Sequence, residues 1–206
     1  MRCSRKIKKD EPQIFVKLKR TFDIVCSFIG LVLLWPFFII IALFIAADSS
    51  GPVIFRQART GRYGRPFVIF KFRTMKTEHD GNSVSVKGES RITWTGEFLR
   101  KYKIDELPEL WNVLIGNMSF VGPRPDVPGY ADRLEGDDRK ILELRPGITG
   151  PASLKYRNEE ELLAKQPEPK KYNDDVLWPD KVRINLDYYH NRNMWLDLKL
   201  ILRTIF

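Results

Sequence analysis

Residues 24–47 run between Asp23 and Asp48 without one charged side chain. At ~1.5 Å of rise per residue, an unbroken helix of that length crosses a hydrocarbon core of ~30 Å. So apolar a segment must lie in lipid or in a protein core. A chain of 206 residues offers one domain of good size, or a smaller domain plus an anchor. The run is too long for the apolar core of a secretory signal, and no A-x-A cleavage site follows it. On hydropathy alone it reads as a single-pass anchor.

Two features favour a different arrangement. Pro36 divides the run into residues 24–35 and 37–47, each reaching about half of a ~30 Å core. An interior proline removes a backbone hydrogen bond and bends a helix. Charge is the second feature. Residues 1–20 carry Arg2, Arg5, Lys6, Lys8, Lys9, Lys17, Lys19 and Arg20 against Asp10 and Glu11. On the far side, residues 49–76 carry Arg56, Arg59, Arg62, Arg65, Lys71, Arg73 and Lys76 and no acid. Spanning helices concentrate positive charge on the cytoplasmic side only. A helix that enters, breaks at Pro36 and returns leaves both basic flanks in the cytosol. The expected layout is therefore a basic tail with a re-entrant membrane helix over 1–50, and a cytosolic domain over 51–206.

The charge balance, 35 Lys and Arg against 26 Asp and Glu for a net +9, calls for a polyanionic neighbour. A nucleic-acid binder would leave the apolar run unexplained, so the expected surface is an anionic membrane and no nucleic acid is expected. A membrane-anchored adaptor with a merely basic surface is the other non-enzymatic reading. Cys3 and Cys26 form neither a plausible pair nor a metal-ligand spacing, which indicates a reducing compartment. His79 and His190 lie in polar surroundings and suggest no histidine metal site.

Beyond the apolar run, residues 53–55 and 67–70 read as a hairpin around the turn 59–65. Alternation carries Lys71 and Arg73 onto one face, either a solvated strand face or a diphosphate-binding pair. Residues 79–89 read as a loop and 94–102 as a helix with Phe98, Leu99 and Tyr102 buried. Residues 126–144 suggest a loop and then a helix, 145–151 a rigid turn headed by Arg145, and 159–165 a short helix. Pro167 and Pro169 suggest a broken linker. Residues 184–206 end the chain in a segment suited to an interfacial or core-packing helix.

The stretch 103–125, KIDELPELWNVLIGNMSFVGPRP, gathers the chemistry. Asp105 before Leu-Pro-Glu-Leu-Trp reads as a helix start, where amides and dipole would hold a carboxylate ionised and could receive a phosphate. Arg124 sits in a stiff Gly-Pro-Arg-Pro turn and suits bidentate phosphate contact. An ordinary capped helix followed by a proline loop accounts for the same residues. No Ser/His/Asp set, Walker loop or CxxC pair is present. Carboxylates beside lysines and arginines, next to a membrane segment, are the minimum for phosphoryl transfer.

FKFRTM at 70–75, DELPELWNVLIGNMSFVGPRP at 105–125 and RPGITGPASL at 145–154 together resemble the monotopic phosphoglycosyl transferases, the bacterial sugar transferase family. The resemblance extends from the basic apolar N-terminus to WLDLKLILRTI at 195–205. It implies an α+β, mostly helical, monotopic membrane protein with an N-terminal re-entrant helix-break-helix and a small cytosolic catalytic domain containing a short β-hairpin. It also implies transfer of a phospho-sugar from a UDP-sugar to polyprenol (undecaprenyl) phosphate with release of UMP, at the cytoplasmic face of the bacterial inner membrane. On this resemblance Asp105 matches the nucleophile and Glu106 its partner, both associated with Mg²⁺. Lys71, Arg73 and Arg124, with Arg145 as a further candidate, match residues that hold the diphosphate. The break in relatives is often Ser-Pro, whereas Trp35 precedes Pro36 here, so help from a hydroxyl would have to come from elsewhere, such as Ser27. Neither the sugar nor the oligomeric state is legible.

Overall fold

The computed structural model describes residues 13–76 and 91–206. The loop expected at 79–89 and Cys3 therefore lie outside the described residues.

Helix α1, Gln13–Asp48, is continuous, with Pro36 inside it. This corrects the expected interruption. Proline removes one amide hydrogen bond, and the helix is packed against the domain on both sides of it. Before Pro36, Gly30 lies close against Leu110, and after it Phe38, Ile41 and Ile45 pack with Phe72 and Leu99. The Ser27 hydroxyl donates back to the Asp23 carbonyl at 2.6 Å, well upstream of Pro36, and so does not assist a break there.

Residues of α1 at helical spacing face the rest of the molecule along the whole element. Near its start, Arg20 donates to the carbonyls of Val113 and Leu114, at 2.6 and 2.7 Å, and Lys19 pairs with Asp197. At its end, the Asp48 carboxylate accepts from the Thr95 amide at 2.8 Å. Both ends of α1 therefore contact the same folded domain. The opposite face, including Phe28, Val32, Leu33, Trp35, Phe37, Ile40, Leu43 and Phe44, is exposed. A continuous apolar face of this size marks a membrane or partner surface.

Strands β1 (Ile54–Thr60) and β2 (Pro66–Phe72) form the expected hairpin, in antiparallel register from Ile54↔Phe72 to Thr60↔Pro66. Helix α2 is Trp94–Lys101, capped by the Thr93 hydroxyl, which accepts from the Gly96 amide at 3.0 Å. Leu99 is buried as expected, but Trp94, Phe98 and Tyr102 point outward. The reason is steric. The inward face carries Thr95 and Gly96, and a Cβ on Gly96 would lie 2.1 Å from the Thr74 carbonyl oxygen. That approach admits only a small residue, so the large rings face away.

A 3-10 turn, Ile104–Glu106, leads to α3, Glu109–Ile115. Strand β3 (Ser119–Val121) pairs in parallel with β4 (Gly147–Thr149). Between them the expected helix is replaced by 3-10 turns at Ala131–Arg133 and Asp138–Glu143. Then follow α4 (Pro151–Lys155), α5 (Glu159–Ala164) and α6 (Pro169–Tyr172). Pro169 opens α6 rather than breaking a linker, since a first-turn proline gives up no helical hydrogen bond. A π-helical turn, Asn173–Leu177, joins α6 to α7, Trp178–Asn191. The chain closes with α8, Met194–Ile205. Asp197 of α8 is buried and accepts from the Tyr188 hydroxyl at 2.6 Å, while Trp195, Leu202, Ile205 and Phe206 are exposed. The fold is mostly helical α+β, with two small sheets.

The two proline-glycine turns of the sequence interlock. Gly122 donates to the Thr149 carbonyl at 2.9 Å, and Gly147 to the Pro123 carbonyl at 2.8 Å. A Cβ on Gly122 would lie 2.2 Å from the Arg145 carbonyl oxygen, and one on Gly147 2.1 Å from the Gly122 nitrogen. Glycine is required because two backbones touch here, and that contact fixes the loop bearing Arg124.

Candidate active site

Three carboxylates occupy the turn into α3. Lys103 is left-handed (φ 56°) and swings the chain into the 3-10 turn that carries Asp105 and Glu106. Pro108, without a side-chain cap, precedes α3, so the expected Asp105 cap is absent. Instead Asp105 Oδ1 is buried with no hydrogen-bond partner among the described residues. Burial, then the Glu106 charge, pushes the Asp105 carboxyl above its ordinary range, against the pull of Lys71, Lys103 and Arg124. The shift runs opposite to the lowering expected from a helix dipole.

Glu106 is nearly enclosed, and one of its oxygens, Oε1, is shared by two cations. Lys71 Nζ donates to it at 2.8 Å and Arg124 Nη2 at 2.5 Å. Burial alone would raise the Glu106 carboxyl, but Arg124 and Lys71 outweigh it and hold it well below the usual range. Glu109, one turn further on, is buried, and its Oε1 lies 3.1 Å from Lys71 Nζ without hydrogen-bond alignment. Burial pushes its carboxyl up to about 7, with Lys71 opposing. Lys71 reaches these groups because the Asn112 side chain ties α3 to β2. Its Nδ2 donates to the Val68 carbonyl at 2.7 Å, and its Oδ1 accepts from the Phe70 amide at 3.1 Å.

Arg59 is a member of this cluster that its turn position in the sequence did not indicate. It donates to the Pro125 carbonyl at 3.3 Å and to Gln57 at 2.6 Å. Its charge acts on Arg124, Asp126, Glu109 and Glu106. Glu109 was equally hidden, read as one helix residue among others. Its i+3 spacing from Glu106 was the available signal.

Two expected diphosphate residues are hydrogen-bonded to backbone carbonyls instead of to these carboxylates. Arg73 is buried and donates to the Ser49 carbonyl at 2.6 Å and hydroxyl at 3.0 Å, clamping the end of α1. Strand alternation ends at Phe72, so Arg73 does not share the Lys71 face. Arg145 Nε donates to the Gly116 carbonyl at 2.9 Å. Gly116 follows the C-terminal end of α3, a helix of 7 residues that rises about 10 Å from the carboxylates. There Arg145 and Arg20 satisfy carbonyls that a helix end leaves open. Asp105, Glu106, Lys71 and Arg124 are thus brought together, while Arg73 and Arg145 show bonds to backbone carbonyls and none to these carboxylates.

Two cations, Lys71 and Arg124, are held by one carboxylate beside a second carboxylate whose Oδ1 has no partner among the described residues. The family model described as bacterial sugar transferase matches residues 14–206. The chain belongs to the bacterial sugar transferase family. It is 36% identical over 91% of its length to a UDP-glucose:undecaprenyl-phosphate glucose-1-phosphate transferase of Klebsiella pneumoniae, of which it covers 39%. An enzyme of the same name from Caulobacter vibrioides is 36% identical over 94% of this chain and 71% of that one. A UDP-N-acetylgalactosamine-undecaprenyl-phosphate N-acetylgalactosaminephosphotransferase of Aeromonas hydrophila is 33% identical over 93% of this chain and 44% of that one. The chain thus spans about two-fifths of the Klebsiella and Aeromonas proteins. Two different sugars in these names mean that family membership alone does not specify the sugar.

Proposed function

We propose that this sugar transferase moves a sugar phosphate from a UDP-sugar to polyprenol (undecaprenyl) phosphate and releases UMP. The observation that carries the reading is the shared Glu106 oxygen, which sets Lys71 and Arg124 side by side next to the unpartnered Asp105 oxygen. Lys71 and Arg124 bind the diphosphate, with Arg59 adding charge from behind. The ionised Asp105 attacks the phosphorus that bears the sugar. A bond forms from the carboxylate oxygen to phosphorus, and the bond to UMP breaks, UMP leaving with the electron pair. A polyprenol phosphate oxygen then attacks the same phosphorus, the acyl–phosphorus bond breaks and the Asp105 carboxylate returns. Two displacements through a covalent intermediate replace one difficult step.

Mg²⁺ fits these residues. Among the described residues no group of three or more His, Cys, Asp or Glu side chains is gathered as metal ligands. Mg²⁺ is commonly held by one or two carboxylates together with substrate phosphates. Asp105 and Glu106 would hold it, and it would supply positive charge to the diphosphate.

The same proposal places the protein at the cytoplasmic face of a membrane, with both ends of α1 on that one side. What supports this is that both ends of α1 contact one domain while its outer face is apolar. A helix fastened along its length to a charged domain cannot carry one end across a bilayer without dragging that domain into lipid. The test of function is release of UMP from a panel of UDP-sugars in the presence of polyprenol phosphate. UMP release that needs both substrates over many turnovers is the expected result, and no release with any UDP-sugar would overturn the reading.

A further inference from the structure

The loop that continues from Arg124 and the start of α7 enclose a cleft of about 430 Å³, whose walls include Tyr130, Arg133, Lys170, Asp174 and Trp178. That volume lies in the ordinary range of small-molecule sites, ~300–1,000 Å³. Its walls are aromatic. The Tyr130 and Trp178 rings meet edge to face with centroids 5.4 Å apart. The Tyr130 hydroxyl donates to Asp174 at 2.7 Å, and Asn173 also donates to Asp174, at 3.1 Å, which fixes the ring. At the rim stand two cations, Arg133 and Lys170, whose side chains have no ion-pair or hydrogen-bond partner among the described residues. An aromatic-walled cleft with two unspent cations suits a flat ring joined to a phosphate.

The cleft follows closely along the chain from the carboxylate site. Gly129 lies five residues beyond Arg124, at most ~17 Å of extended chain. Asp126, between them, is within the fields of Lys181, Arg59 and Arg124. Lys181 is one turn beyond Trp178 on α7. One loop and one helix therefore frame both places. Resting on the function proposed above, we infer that this cleft seats the nucleoside end of the donor. The uracil packs against Trp178 and Tyr130, and Arg133 and Lys170 face the phosphate next to the ribose. The sugar-bearing phosphorus then remains at Asp105 and Arg124. In this arrangement the cleft reads the part that all UDP-sugars share.

The test uses the full-length protein in detergent, with UMP alone as the calorimetric probe. Trp178→Ala, and Arg133→Ala with Lys170→Ala, are expected to weaken UMP binding tenfold or more, while Trp178→Phe retains most of it. The KM for each UDP-sugar should rise by a common factor. Unchanged UMP affinity in all three variants would overturn the assignment. So would KM changes that differ from sugar to sugar, which would place the sugar in the cleft. Weakened binding in Trp178→Ala that Trp178→Phe fails to rescue, with lowered melting, would also count against it, as damage to folding. A wild type that binds UMP through these residues yet transfers no sugar phosphate would remove the proposed function and leave the nucleotide site standing.

Discussion

Asn112 accepts from the Phe70 amide at 3.1 Å, standing where a third strand would otherwise pair with β2. Its other end donates to the Val68 carbonyl at 2.7 Å, so one buried carboxamide closes the free edge of a two-stranded sheet. The sheet carries Lys71, the 3-10 turn before α3 carries Glu106 and α3 carries Glu109, and Asn112 sets their spacing. Asn112→Ala strands a buried donor and acceptor, each worth about 1–3 kcal/mol when unsatisfied. A loss of about 3 kcal/mol in urea unfolding is expected, together with a raised donor KM as Lys71 loses its place. Unchanged stability would show that water replaces the carboxamide.

Stability should depend on pH through Glu109. Its folded carboxyl is held up to about 7, first by burial, and Asp126 up to about 6 by burial. Unfolded carboxyls titrate near ~4. Between those pH values the folded chain keeps protons that the unfolded chain has lost. Stability therefore falls as pH rises from about 4 to about 7, and this contribution is flat above that. Glu109→Gln should gain stability relative to wild type as pH rises from 5 to 7.5, read from urea midpoints. An identical pH profile in the two proteins would remove Glu109 from this role.

Much of the site was legible because it depends on local pattern. The β1–β2 hairpin, the Asp105–Glu106 pair and the Gly-Pro-Arg-Pro loop are contiguous motifs. What escaped depends on tertiary contact. The outward turn of Phe98 and Tyr102 follows from the closeness of Gly96 to Thr74, a neighbour distant in sequence. Arg73 and Arg145 carry the charge that a diphosphate needs, yet both are drawn to helix-end carbonyls, a competing demand that spacing does not reveal. The parallel pairing of β3 with β4 joins three-residue strands, too short for any periodicity. Pro36 marked a break by local rule, and packing on either side of it prevails in the fold.

On the proposed function, activity is expected to depend on a metal. Two adjacent carboxylates without thiolate or imidazole favour a hard cation, Mg²⁺ over Zn²⁺. EDTA should abolish sugar-phosphate transfer and added Mg²⁺ should restore it. Glu106→Gln should raise the Mg²⁺ concentration needed for half-maximal activity, or remove activity. Full turnover in EDTA would eliminate the metal.

Topology can be read by thiol labelling in intact cells. Ser50 lies just past the end of α1, and Arg20 just before the apolar run is bound to α3. A cysteine at Ser50 in a Cys3→Ser, Cys26→Ser background should resist an impermeant reagent and react after the membrane is opened. Seven basic residues beyond Ser50 also oppose export. Labelling from outside would place the domain on the other face.

The covalent step is the centre of the account, and intact-mass spectrometry addresses it most directly. Enzyme mixed with UDP-sugar and Mg²⁺, without polyprenol phosphate, should gain the mass of one sugar phosphate on a fragment containing Asp105. Acceptor should then discharge it, and Asp105→Asn should neither gain the mass nor turn over. An Asp105→Asn enzyme that transfers sugar phosphate at the wild-type rate would contradict the account.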